Sequence, residues 1–183
     1  MDGQRRDAAR NRAHILEAAR GRAAAGEGLA LNAVARAADV GVGTVYRHFA
    51  SVDELEEAVV AERFDELAAL LRAAGPGQLE QVLTAHFRLL ADDALFERVT
   101  ARAEPALEQT TRTRDALIAD LAELMARTRE RGDLRPDVDA AGVLLLVCGL
   151  AHAVRSAGVP ADSPPGRALL RVVLDGLRPP RLD

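Results

Sequence analysis

Hydrogen-bond donors cluster within one short segment of the chain. Tyr46 and His48 can donate to phosphate oxygens, and Arg47 can do the same or pair with guanine. Thr44 adds a hydroxyl for a phosphate or a base edge and a methyl group for thymine. Gly43 has no side chain, so the backbone there could come close to the bases. With neighbouring positions included, the candidate DNA contacts are Asn32, Val42, Gly43, Thr44, Tyr46, Arg47 and His48.

Two short helices joined by a turn would position these donors. The first helix is predicted by apolar residues at three- and four-residue spacing, namely Leu31, Val34, Ala35 and Ala38. The second helix follows a turn at Asp39, and its expected inner positions are Val42, Val45 and Phe49. This is the pattern of a helix-turn-helix, whose second helix lies in the DNA major groove and reads it.

A specific motif runs through the same segment. The run Gly43–Phe49 (GTVYRHF), with Val34–Ala38 before it and Ser51–Leu55 after it, resembles the DNA-binding domain of the TetR family of bacterial repressors. The resemblance implies a homodimer that binds a palindromic or near-palindromic double-stranded DNA operator. It also implies a small-molecule effector that enters the helical body, shifts helix four and lowers DNA affinity. Activation rather than repression stays open.

Three positions depart from the family pattern. Asp39 occupies a turn position where the family usually has glycine, and aspartate tolerates a left-handed backbone better than most residues. Ala30 precedes helix two, where the family often has a capping serine or threonine, and alanine cannot cap. Val52 stands where lysine or arginine often contacts a phosphate. We therefore expect weaker non-specific DNA binding than in a typical member, without loss of function.

Charge divides the chain into two parts. Residues 1–50 hold eight arginines and five acidic residues, whereas residues 51–183 hold sixteen arginines and twenty-three acidic residues. The net charges of the two parts are therefore +3 and −7, and the basic part contains the predicted reading helix, as phosphate binding requires. We predict a helix-turn-helix DNA-binding domain over 1–50 and a ligand-binding and dimerisation domain over 51–183.

The composition favours an all-α fold of about nine helices. Aromatic residues make up only 3% of the chain, so aliphatic side chains must fill the core, which favours helix packing. Helix one of the three-helix head is expected over about 8–25. Ser51 and Glu54 form a predicted capping box for helix four, and Pro105 is expected in the first turn of helix seven. The remaining helices would form the C-terminal body.

The last two predicted helices are too apolar to be covered within one small body. The family resemblance implies that they pair with the same helices of a second copy in a four-helix interface. The predicted interface residues are Leu146, Leu150, Val154, Leu170, Val173, Leu174 and Leu177.

The resemblance also implies an effector pocket among helices four to eight, and its apolar surroundings indicate a hydrophobic or aromatic molecule. Cys148 is interpreted as a buried structural thiol; a redox sensor would need a partner thiol from another subunit. His152 could bind the ligand, be satisfied in the core or stack across the dimer, and His86 is expected on a helix surface. The candidate pocket residues, each of which could instead be plain core, are Phe64, Phe87, Phe96, Val99, Leu121, Met125, Cys148 and His152.

We find no sequence motif for catalysis, for a metal or for a cofactor. The chain has no glycine-rich phosphate loop, no HExxH and no GxSxG, and its four histidines lack metal-ligand spacing. Its Arg-rich N-terminus lacks the apolar core of a secretion signal, so we expect none, and its most apolar run is shorter than the roughly 20 residues that span a bilayer. We therefore expect a cytoplasmic protein without a membrane partner. The alternative is a helical dimeric adaptor that has lost DNA binding; Val52 and Ala30 favour it, and the donor cluster opposes it.

Overall fold

The computed structural model describes residues 2–179 and, among them, the side chains of residues 6–179. Over this range the chain forms nine α-helices, one 3-10 turn and no β-strand, which confirms the predicted all-α class. The helices are α1 (Asp2–Ala24), α2 (Leu31–Ala37), α3 (Val42–His48), α4 (Val52–Ala73), α5 (Leu79–Asp92), α6 (Ala94–Thr100), α7 (Glu108–Glu130), α8 (Ala140–Ser156) and α9 (Pro164–Gly176), and the 3-10 turn is Pro76–Gln78.

The helices divide into two compact units. The first, called the head here, comprises the chain up to Ala61 together with Glu104–Thr110. The second, called the body, comprises Glu62–Ala103 and the chain from Thr111 onward. Helices α4 and α7 therefore contribute residues to both units. The functional division after residue 50 remains a prediction.

The head packs α1, α2 and α3 against one another around a small aliphatic core. Val45 and Phe49 are buried in this core, as the spacing along α3 predicts. Val42, which the same spacing assigns to the inner face, is 41% exposed, so that expectation is wrong. Val42 is the first residue of α3, and the packing of the head leaves this end of the helix open to solvent.

Several helix ends follow the capping chemistry of the sequence, and two do not lie where we expect them. The Ser51 hydroxyl accepts the Glu54 N–H at 3.1 Å, and the Glu54 carboxylate accepts the N–H of Ala50 at 2.7 Å rather than that of Ser51. Helix α7 begins only at Glu108, so Pro105 lies in the preceding loop instead of in its first turn. Helix α1 begins at Asp2, earlier than expected.

The body is built around α5, which packs against α6, α8 and α9. Phe64, Leu67 and Leu71 of α4 are buried, and the Phe64 ring meets the Phe96 ring of α6 edge to face, with centroids 4.9 Å apart. Asp139 and Ser163 cap α8 and α9 through their side chains. Within residues 2–179, no helix has the length and apolar character needed to cross a membrane.

Candidate DNA-reading surface and ligand cavity

The turn between α2 and α3 sets the direction of α3, the candidate reading helix. Asp39 adopts a left-handed backbone, with φ of 51°, as its place in the turn predicts. The N–H of Val40 donates back to the carbonyl of Ala35 at 3.0 Å, which closes the end of α2. Helix α3 then begins after Gly41, whose extended backbone serves as its N-cap.

Helix α3 separates its anchors from its donors. Val45 and Phe49 fix the buried side, and the guanidinium of Arg12 stacks over the Phe49 ring at 5.3 Å from the centroid. On the opposite side Tyr46 is 52% exposed and Arg47 is also exposed. The other candidate DNA contacts lie at the surface as well: Asn32, Val42 and Gly43 are exposed, and Thr44 and His48 are half-buried.

In this geometry α3 presents a short row of hydrogen-bond donors on one side, while its buried side packs into the core of the head. The arrangement can donate to phosphates and base edges in a groove that admits one helix. The role of each residue as a DNA contact stays a prediction. The departures noted in the sequence are visible in the structure, since Ala30 makes no capping hydrogen bond and Val52 presents an apolar surface.

A buried carboxylate ties the α6–α7 loop to α4 inside the head. The Glu57 carboxylate accepts the N–H of Ala106 at 2.6 Å and the N–H of Leu107 at 2.9 Å. Glu57 is almost fully buried, and a carboxylate is stable there only with such donors. This contact could not be predicted from the sequence, because its partners are about fifty positions apart in the chain.

The body contains a cavity of about 570 Å³ between α4, α5, α6, α7 and α8. Its size lies within the range of small-molecule sites, and apolar side chains form most of its wall. Of the predicted pocket residues, Phe64, Phe96, Leu121, Cys148 and His152 line it. Phe87, Val99 and Met125 do not line this cavity; they are buried among other core side chains, so their assignment to the pocket is corrected to core.

Four polar residues of the cavity wall were not predicted from the sequence: His86, Glu97, Thr100 and Arg114. The prediction that His86 lies on a helix surface is wrong, since only 4% of the residue is exposed. Burial lowers the pKa of His86 from 6.5 to about 4, so its imidazole is neutral at physiological pH. The sequence did contain a signal for its burial: His86 is four residues from both Val82 and Leu90, which puts it on the same face of α5 as these apolar residues.

Glu97 is the centre of a small ionic cluster at the cavity wall. Its carboxylate pairs with Nδ1 of His152 at 2.9 Å and with the guanidinium of Arg155. His152 is therefore an exposed partner of Glu97 rather than a core residue. Cys148 is half-buried, whereas a buried thiol was predicted. Burial and, to a smaller extent, the nearby Glu97 charge raise the pKa of the Cys148 thiol.

An apolar surface lies on the paired helices α8 and α9. Leu145 is 75% exposed and Val172 is 70% exposed, and Leu146 and Leu169 are also exposed. Leu150 and Val173, both predicted for an interface, are half-buried. Four further predicted interface residues are corrected to the core of the single chain, because buried side chains offer no area to a partner: Val154, Leu170, Leu174 and Leu177.

Over the described part of the chain, no group of three or more His, Cys, Asp or Glu side chains is arranged to hold a metal ion.

The body also has exposed ion pairs, such as Arg135 with Asp137 at 2.6 Å, which raises the pKa of the arginine and lowers that of the aspartate. Exposed pairs of this kind contribute little to stability.

Two family models match the sequence. The model for "Bacterial regulatory proteins, tetR family" matches residues 15–59, and the model for "Transcriptional regulator SbtR-like, C-terminal domain" matches residues 77–179. The first match contains α2 and α3, and the second contains most of the body and its cavity wall. Among curated protein sequences, none matches this chain.

Solved structures resemble the chain over nearly its whole length. A TetR transcription regulatory protein from Mycobacterium vanbaalenii is 34% identical, with 96% of this chain and 99% of that chain covered and a TM-score of 0.56. The TetR transcriptional regulator SCO0520 from Streptomyces coelicolor is 26% identical, with coverage of 93% and 99% and a TM-score of 0.55. The transcriptional regulator FadR from Bacillus subtilis, solved with stearoyl-CoA, is 16% identical, with coverage of 90% and 98% and a TM-score of 0.64; this likeness concerns the fold alone.

The helix-turn-helix with its exposed donors, the helical body and both family matches lead to one conclusion: this chain belongs to the TetR family of bacterial transcriptional regulators.

Proposed function

We propose that the protein is a homodimeric repressor that binds a palindromic operator through α3 and leaves it when a small molecule occupies the body cavity. The observation that carries the proposal is the exposed face of α3, where Tyr46 and Arg47 project away from the buried anchors Val45 and Phe49. An adaptor that had lost DNA binding would have no need for these donors.

Charge supports the direction of DNA binding. The first fifty residues carry a net charge of +3, although the whole chain carries −4. A basic segment attracts phosphates and displaces their counterions, so the affinity for DNA should fall steeply with salt. The acidic remainder disfavours DNA contact elsewhere and would help to select one binding face.

The apolar surface on α8 and α9 supports a dimer of this chain. Leu145 and Val172 are more exposed than apolar side chains of a stable monomer usually are, and they lie on two helices that pack together. A second copy would cover this surface with the same surface of its own around a two-fold axis. Two reading helices related by that axis require two half-sites, which is the reason to expect a palindromic operator.

Chain connectivity supports control by a ligand. Helix α6 supplies Phe96, Glu97 and Thr100 to the cavity wall. The chain then continues into the α6–α7 loop, which donates two backbone hydrogen bonds to the Glu57 carboxylate of α4. A ligand that moves α6 would displace this loop and bias the position of α4, which leads directly from the reading helix. A coupling free energy of about 1–3 kcal/mol would be sufficient to change operator occupancy.

The test of DNA binding is fluorescence anisotropy of the full-length protein with a duplex from the region upstream of its own gene. We expect saturable binding to a palindrome within that region, weaker binding to a scrambled duplex of the same composition, and a steep loss of affinity with salt. Arg47→Ala should weaken binding, whereas Arg88→Ala, which removes an exposed arginine of α5, should not. Binding that is indifferent to sequence would contradict the proposal and favour the adaptor.

The test of dimerisation is light scattering coupled to size exclusion. We expect the mass of a dimer for the unaltered chain and of a monomer for the double variant Leu145→Glu, Val172→Glu, because four buried charges would lie in the interface. Leu70→Glu places the same charge on an exposed apolar residue of α4 and is the matched control. A dimer that persists in the double variant would show that another surface is used.

A further inference from the structure

The charged groups of the cavity wall are already occupied by protein partners. The Glu97 carboxylate pairs with His152 and Arg155. The Arg114 guanidinium donates through Nη1 to the carbonyl of Arg102 at 2.7 Å. One negative and one positive side chain line the same cavity, so the wall carries no net formal charge. A charged ligand would have to leave water for a wall without net formal charge, which is unfavourable.

Two neutral hydrogen-bonding side chains of the wall lack a protein partner. The His86 ring lines the cavity, is almost fully buried and has no hydrogen-bond partner within residues 2–179. The hydroxyl of Thr100, another lining residue, is also buried without a partner. A buried polar group without a partner is costly, and a neutral imidazole offers one donor and one acceptor. These two residues can therefore gain most from a ligand that supplies a complementary neutral group.

We propose that the cavity binds an uncharged, mainly apolar molecule that carries a hydroxyl or carbonyl group, and that this group hydrogen-bonds with His86, with Thr100 as a second partner. The apolar body of such a molecule would fill the cavity of about 570 Å³ against the aliphatic and phenylalanine side chains of its wall. The inference rests on the proposed ligand-responsive function and names the chemical class of its ligand.

Three fluorescent probes with the same hydrocarbon body test this chemistry at neutral pH: pyrene, 1-hydroxypyrene and 1-pyrenecarboxylate. They are titrated into the full-length protein in the absence of DNA. We expect 1-hydroxypyrene to bind about tenfold more tightly than pyrenecarboxylate and several-fold more tightly than pyrene. Tightest binding of the carboxylate, or no binding of any probe, would overturn the proposal.

Variants then locate the hydrogen bond. His86→Leu should lower the affinity for 1-hydroxypyrene about fivefold to tenfold and leave that for pyrene within about twofold. Thr100→Val should also lower the affinity for 1-hydroxypyrene, by a smaller factor. This second variant keeps the test valid if His86→Leu does not fold. His14→Leu is the matched control, because it makes the same replacement at an exposed histidine of α1 that does not line the cavity. A preference for the hydroxyl that survives both His86→Leu and Thr100→Val would contradict the assignment.

The probe measurements and the operator measurements fail separately. A protein that binds its operator specifically but prefers the carboxylate probe refutes the ligand class and leaves the repressor proposal in place. A protein that prefers 1-hydroxypyrene but binds DNA without sequence preference refutes the repressor and leaves the chemistry of the cavity in place. Release of the operator by 1-hydroxypyrene, with no release by pyrenecarboxylate, would support both.

Discussion

The candidate DNA-reading surface of the head and the cavity of the body present opposite chemistry to a partner. Six of the seven candidate DNA contacts lie on one helix, α3, and most of them are exposed to solvent. The cavity draws its wall from five helices, between Phe64 and His152, and its unpaired polar groups are buried and neutral. One region offers charge and donors in water, whereas the other offers volume and two unmet hydrogen bonds.

This difference has an energetic consequence. Binding of phosphates by exposed arginines gains most of its free energy from counterion release and weakens with salt. Binding of an apolar molecule in a cavity depends on buried area and on hydrogen bonds shielded from solvent, and salt has little effect on it. A salt series on both binding reactions should therefore separate the two regions.

The largest effect is expected from the double variant Tyr46→Ala, His48→Ala. It removes two donors from the exposed face of α3 while Val45 and Phe49 stay in the core. We expect operator affinity, measured by fluorescence anisotropy, to fall by about 100-fold, since each good contact is worth roughly 1–3 kcal/mol. Light scattering and pyrene binding should be unchanged. Unchanged DNA affinity would remove α3 from the reading role.

The next effect is a loss of stability in acid that originates in the cavity. The pKa of His86 is about 4 in the folded chain and 6.5 as its ordinary value, so the unfolded chain binds the proton more tightly. Above pH 6.5 both states are neutral at this residue and it has no effect; as the pH falls from 6.5 to 4 it lowers the free energy of unfolding by up to about 3 kcal/mol.

Urea denaturation across this pH range measures the effect, and His86→Gln is the comparison because glutamine does not titrate. The variant should lose less stability than the unaltered chain between pH 6.5 and 4. Equal losses in the two proteins would mean that His86 is accessible to protons in the folded chain. Operator binding at neutral pH in the absence of ligand should be the same for both.

A third effect tests the carboxylate inside the head. Glu57→Ala leaves the N–H groups of Ala106 and Leu107 without their acceptor, and we expect the free energy of unfolding to fall by about 2 kcal/mol. Asp65→Ala removes an exposed carboxylate from the same helix and should change stability by less than about 0.5 kcal/mol. Urea denaturation compares the two, and equal effects would mean that solvent replaces the Glu57 contacts.

The smallest effect should come from restoring a phosphate contact. Val52→Arg places a guanidinium at an exposed position where the family often has a basic residue. We expect operator affinity at low salt to rise about threefold to tenfold, and the slope of log affinity against log salt to steepen by about one. Ala69→Arg adds the same charge to an exposed residue of α4 in the body. An equal gain in the control would mean that net charge alone is responsible.

Much of the head could be predicted because its determinants are close in the chain. The stripe over α2, the turn at Asp39 and the buried pair Val45 and Phe49 each involve residues within a few positions of one another. Capping by Ser51, Asp139 and Ser163 is equally local. The exception is Val42. Periodicity predicts which side of a helix faces inward, but it does not predict how much of the helix length the neighbouring helices bury.

The body was predicted less well, and the errors have a common cause. His86 has the right spacing for a buried face, but its polarity suggested a surface position. Phe87, Val99 and Met125 are as apolar as the cavity residues, and only packing distinguishes a wall from a filled core. Helices α8 and α9 are apolar on several sides. Composition therefore could not distinguish the side that packs within the chain from the exposed side, which carries Leu145 and Val172.

Local spacing was thus sufficient to predict most of the helices, several of their caps, the turn before α3 and the family. The bond between Glu57 and the α6–α7 loop, the pairing of Glu97 with His152 and Arg155, and the unpaired state of His86 depended on the folded chain. Helix propensity and capping act over a few residues and can be read along the chain. Cavities, buried ion pairs and exposed apolar faces arise where distant segments meet, and the free energy of packing the whole core selects which segments do so.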